Sequence, residues 1–552
     1  MVKYGLRCDA NTGNHCLRLI FCLSLNKPTI PVPMSLKTFL TSTLLIACGT
    51  VSAQQNTGIV QFFPKQNATG VNPDTHLTIT FRDKPQLGTS GKIRIYDAVT
   101  HQLADSLDMS IPAGPTTRDT ARVKPSTKPY EYVSGHFTNA NTRPGTPSGE
   151  ALPNFGPYQL TIIGGFTDGF HFNPIIIHNN TATVYPHNNL LSYNKSYYVT
   201  IDPQVFGATA GFEGIKSNAW QFSTRKTPPR AGQGKLVVNA DGTGDFNTVQ
   251  GAIDFIPENN QKPVIIFIRN GTYEEIVYFR KKSNITFIGE DRDKTIITYN
   301  NYEALNSHPK NLGTNEVPGS FPSRRGAFMG DNCQDISIAN ISILNPSNQQ
   351  AEGLLLTGEH NMLYHINIRG GGDALQVNGT VFMKESRLDG LGDAILGRGA
   401  AFFDHCDFYS RGAFMWIRNT AANHGNVFVN STFHGTGTIP TEIAREPANG
   451  GKTYPYSEAV LINCSLEGIS PVGWGKIDGD PANIHYWEYN SRNISDGKPV
   501  NVSQRHPLSK QLVSGHDDKI IANYTNPAFV LGGWVPPINK LVQTVDKVLA
   551  GK

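Results

Sequence analysis

Six short segments between residues 336 and 466 repeat one pattern, and that repetition restricts the fold more than any other feature. They are Ile336–Ile343, Met362–Ile368, Val381–Leu388, Ala401–Phe408, Val427–Phe433 and Val460–Leu466. In each, an apolar pair or triplet is followed by a polar residue, a small or apolar residue and a final apolar one. The inner position falls at Ile341, Ile366, Ser386, Cys406, Ser431 and Cys464, in steps of 25, 20, 20, 25 and 33 residues. Strand-length repeats with turn-rich connections, and no helical pattern in each unit, predict an all-β right-handed parallel β-helix and not a βαβ sheet. The long last step predicts a loop insertion on one face. The competing architecture is a β-sandwich whose strands merely look alike.

Residues one period apart in such a coil stack as neighbours on one face. Asp373 and Asp393 are 20 residues apart within this run. Two carboxylates held side by side do not ionise equally, so one keeps its proton while the other serves as base or nucleophile. Either aspartate alone, set among glycines, would read as a turn residue. Their one-coil spacing predicts a paired-carboxylate enzyme.

At 552 residues the chain is too long for one ordinary core. Its 54 Gly and 35 Pro, with 17% charged residues, suit a turn-rich β protein acting outside the cytoplasm. The formal charge of +4 comes from residues 1–53, which hold five basic side chains and one acidic. The remainder is balanced, which argues against a nucleic-acid partner.

From Met34 a short basic region, an apolar stretch Thr38–Cys48 and the small-residue site Val51-Ser-Ala53 form an export signal, predicting a secreted or periplasmic, outer-membrane-associated protein. The apolar stretch is too short to span a bilayer. The same region resembles a lipoprotein box, with Cys48 as a candidate lipid anchor; cleavage after Ala53 is the favoured reading. Residues 1–53 are thus upstream extension and signal. Cys333, Cys406 and Cys464 remain, and at least one is expected to be a core thiol.

The Pro/Gly stretch 226–234 divides the mature chain and predicts independent folding of the two halves. Before it, His76–Phe81, Lys92–Tyr96, Tyr158–Ile163, Thr181–Tyr185 and Ser196–Ile201 read as strands. From Phe63–Val71 to Trp220–Thr224 the chain resembles bacterial immunoglobulin-like domains, which implies a β-sandwich over residues 57–225 serving as spacer or docking module. After the stretch, Phe246, Val249, Ala252, Ile253 and Ile256 share a helical face, with Asp245 or Asn247 as expected cap. This helix would plug the first coil. The stripe Ile538, Leu541, Val542, Val545 and Val548 would cover the far end or the flank.

Residues 235–552 resemble the pectinesterases. The resemblance runs in order through Asp241–Gln250, Gly271–Glu275, Phe287–Ile297, Gln350–Leu355, Gly392–Phe402, Val472–Gly475 and Tyr486–Tyr489. It implies hydrolysis of galacturonate methyl esters in pectin, by a monomer needing no metal or other cofactor. It places the nucleophile at Asp393, the general acid at Asp373, an oxyanion-stabilising glutamine at Gln350 and the arginine holding the nucleophile at Arg445. The family's glutamine before the acid is here Gly372, so one oxyanion donor is missing; Gln376 is the nearest substitute in sequence. The family's Leu-Gly-Arg-Pro-Trp is reduced to Ala444-Arg-Glu-Pro447, without the tryptophan. Trp416, Tyr454, Tyr456 or Trp474 is expected to supply the lost sugar-stacking surface. The alternatives are a carbohydrate-binding or adhesion protein with weakened activity, or a β-helix lyase or polygalacturonase. Neither of the last two leaves its carboxylate signature here.

Overall fold

The computed structural model describes residues 58–117, 158–163, 169–306, 323–449 and 451–551. The export signal and Cys48 lie outside the described residues. From Lys235 the chain winds as a right-handed parallel β-helix. One long sheet collects a strand from each coil, from Lys235–Val238 through Phe328–Ala339, Leu354–Tyr364 and Leu375–Lys384 to Ser509–Gln511, all pairings parallel. A second parallel sheet of nine strands runs from Gly271–Glu274 to Arg492–Asn493. A third ladder leaves Leu375–Lys384 and continues through Ile395–Gly397, Met415–Ile417, Ala444–Glu446 and Trp474–Ile477.

From Phe328–Ala339 onward, one backbone device turns seven successive coils from the first sheet into the second. Asn340, His365, Glu385, His405, Asn430, Asn463 and Asn490 all adopt the left-handed conformation, with φ between 48° and 59°. Asparagine tolerates that region better than most residues, and it fills four of the seven places. The residue after each is the repeated inner position, and all six such positions read from the sequence are buried. Stacking carries the same repeat into the core. Phe403 lies flat on Phe428, with centroids 4.6 Å apart and planes at 6°, and Phe408 stacks on Phe433 at 5.0 Å. Cys333, Cys406 and Cys464 are buried free thiols.

Strands Ile59–Phe63 to Gln221–Thr224 form a four-stranded and a five-stranded sheet packed face to face. The two halves meet at the start of the coil. Helix Val249–Phe255 plugs the first coil, but neither Asp245 nor Asn247 caps it. The cap is Thr248, whose hydroxyl accepts from the Gly251 N–H at 2.9 Å. Asp245 is engaged elsewhere, accepting from the Val237 N–H at 2.9 Å. The remaining free N–H groups reach two carboxylates. Glu275 accepts from Val249 and Gln250, while Asp74, from the sandwich, accepts from Asn247 and Thr248. A helix start leaves these donors without intrahelical partners, so the sandwich completes the plug. Asn188 and Asn189 add hydrogen bonds to Asp254. The C-terminal helix Ile538–Ala550 covers the flank, its Leu541, Val545 and Val548 packing on Phe267, Ile288, Ala339 and Met362.

Candidate active site

Asp373 and Asp393 each stand two residues before a strand, and those strands pair in register, Leu375 opposite Ile395. The carboxylates therefore occupy equivalent places on successive coils, as the spacing predicted. Glycines shape both turns. A Cβ at Gly371 would lie 2.2 Å from the Gln349 carbonyl oxygen, so only glycine fits there. Asp393 is itself left-handed, with φ 47°, and its N–H donates to the Ala413 carbonyl at 2.6 Å.

The two carboxyls meet opposite environments. Arg445 donates to Asp393 through Nε, at 2.8 Å, and through Nη2 to the other oxygen, a forked pair. Asp373 is 4% exposed. Burial pushes its acid up to about 7, reinforced by Glu352 and Asp393 against the pull of Arg325 and Gln350. Gln350 donates to Asp373 Oδ2 at 3.2 Å. The arrangement thus holds one carboxylate by a guanidinium beside one carboxyl that keeps its proton near neutrality.

The outward positions of the third sheet form a row Leu355, Gln376, Leu396, Trp416, Arg445. Trp416 is half-buried, with the Arg418 guanidinium 4.7 Å and the Arg445 guanidinium 5.6 Å from its ring centre. Gln376 is buried, and its Oε1 has no hydrogen-bond partner among the described residues. Trp474 does not belong to this surface, contrary to expectation. It is 1% exposed inside the coil core, stacked on Tyr486 at 4.8 Å, because its partner in register is the inward Ala444. It offers a sugar no face. Tyr454 is also buried, whereas Tyr456 is exposed.

Three residues that sequence reasoning missed complete the site. Arg325 is buried and donates to Asp373 Oδ2 through Nη2. The same guanidinium bonds Glu352 through Nε and Nη2 and Glu303 through Nη1, all within 3.1 Å. A usable signal was present. Glu352 stands in Gln350-Ala-Glu-Gly, two residues from the candidate oxyanion glutamine, and a carboxylate buried there calls for a cation.

A sequence model of the pectinesterase family matches residues 235–533, more than half of the chain, and the chain belongs to that family. Among its relatives, a probable pectinesterase/pectinesterase inhibitor 61 of Arabidopsis thaliana is 29% identical over 287 residues, covering 49% of this chain and 47% of that protein. A pectinesterase/pectinesterase inhibitor of Ficus pumila var. awkeotsang is 29% identical over 317 residues, 54% of each. The chain spans about half the length of the curated relatives it matches. Among solved structures, pectin methylesterase from carrot is 24% identical, with a TM-score of 0.45, covering 56% of this chain and 95% of that one.

Proposed function

We propose that this protein is an exported pectin methylesterase, hydrolysing galacturonate methyl esters of pectin to methanol and free carboxylate. The observation that carries this reading is the pairing of Arg445-held Asp393 with buried Asp373 on adjacent coils. Asp393 attacks the ester carbonyl carbon, and the charge on the carbonyl oxygen is met by Gln350 and by protonated Asp373. As the tetrahedral intermediate collapses, Asp373 passes its proton to the departing methoxide, giving methanol and an acyl-Asp393 anhydride. Asp373, now ionised, takes a proton from water as that water attacks the anhydride. Asp393 leaves as carboxylate and galacturonic acid is released, losing its proton to solvent to become galacturonate, while Asp373 is protonated again. No step calls on a metal or other cofactor. The leader Met34–Ala53 supports export, and a soluble monomer fits the same reading.

The pH dependence follows from Asp373. Its proton is required in the first step and its folded-state value is raised, so kcat/KM is expected to fall as pH rises through about 7. Methanol release followed from pH 5 to pH 9 measures this, and a flat profile across that range would deny Asp373 the role of acid. Trp416 is the aromatic surface beside the nucleophile's arginine. Trp416→Ala is expected to raise KM for polymeric pectin about tenfold, with kcat within about twofold. An unchanged KM would move the stacking surface elsewhere, with exposed Tyr456 as the next candidate.

A further inference from the structure

We propose that Arg325, clamped between Glu303 and Glu352, is a positioning residue for Asp373. The inference rests on the reading of Asp373 as general acid.

The clamp fixes the guanidinium from every side. Glu352 takes Nε at 2.9 Å and Nη2 at 3.0 Å, and Glu303 takes Nη1 at 2.8 Å. Ser323 donates to Glu352 at 3.1 Å, and the Asn345 amide bonds the carbonyls of both Arg325 and Glu352. The Glu303 N–H in turn donates to the Gln350 carbonyl at 3.0 Å, tying the clamp to the oxyanion glutamine. A side chain held this way loses little freedom on reaching the transition state.

Its first consequence is which oxygen carries the proton. Among the described residues, both side-chain donors to Asp373, Arg325 and Gln350, reach Oδ2. An oxygen accepting two donors is the carbonyl-like one, so the proton sits on Oδ1 and is free to be given to the leaving group. Its second consequence is charge. An arginine alone beside Asp373 would keep that acid ionised and useless as a donor. Here two glutamates share one guanidinium, so the clamp is net negative before Asp373 ionises. The other charged groups around Asp373 are Asp393, which disfavours its ionisation, Arg445 on the third sheet, and Arg418, just past the end of strand Met415–Ile417. Arg445 is spent on Asp393. Glu352, fully buried on Arg325, is therefore the residue that lets an arginine hold the acid without deprotonating it.

The test uses the full chain and methanol release from pectin. Glu352→Gln keeps the shape and removes one anion, so the alkaline limb of the kcat/KM profile is expected to move down by about one pH unit. An unmoved limb in a folded Glu352→Gln protein reduces the cluster to a structural one and overturns the proposal. Should that variant fail to fold, Glu303→Gln is read the same way, with the same shift expected and the same null result fatal. Arg325→Lys keeps the charge but loses the fork, and kcat is expected to fall about tenfold with KM within about twofold. Wild-type protein releasing no methanol would sink the esterase reading itself, a result distinct from an active enzyme whose limb does not move.

Discussion

Asp393→Asn is expected to lower methanol release from methylated pectin by at least about a thousandfold while leaving the melting temperature unchanged. The substitution is isosteric and removes the charge that attacks the ester. It is also gentle on the backbone, because Asp393 sits at φ 47° and asparagine adopts that conformation as readily as aspartate. Arg445 keeps an amide oxygen to bond, so the turn has no reason to open. A folded Asp393→Asn protein retaining more than about a tenth of the activity would remove Asp393 from the nucleophile's role.

The second large effect concerns the sandwich. A chain beginning at Lys235 loses Asp74 from the start of the plug helix, and with it the acceptor for the Asn247 and Thr248 N–H groups and the Thr248 hydroxyl. It also loses Asn188 and Asn189 from Asp254 and uncovers Ile276, Tyr278 and Tyr299, which pack against Ile163 and Phe170 of the N-terminal half. Hydrogen bonds to a carboxylate contribute about 1.5–3 kcal/mol each, and several go at once. The fragment is expected to melt on the order of 10 °C lower than the full chain, or to aggregate. Thermal unfolding of the two proteins side by side decides the matter. Melting within about 2 °C would mean that the sandwich merely rests on the coil.

What was legible in the sequence was what repeats. The inner positions Ser386, Cys406, Ser431 and Cys464 stack because each follows a left-handed turn residue, and the same period aligns Asp373 with Asp393. Arg445 was found through a short motif, and the structure brings it onto Asp393 although it lies 52 positions further along the chain. What escaped has no period. Arg325 lies 48 residues before Asp373, and Asp74 lies 174 before Thr248, so neither spacing nor propensity links them to the groups they touch. Trp474 shows the other limit. A tryptophan between glycines reads equally well as a sugar platform or a core side chain, and only its register with Ala444 tells which.

Product analysis on highly methyl-esterified homogalacturonan tests the central claim most directly. The wild-type chain is expected to release one methanol for each carboxylate formed, with polymer length unchanged, and Asp393→Asn to release none. Shortened polymer carrying unsaturated or new reducing ends, without methanol, would contradict an esterase and assign the paired aspartates to cleavage of the sugar chain.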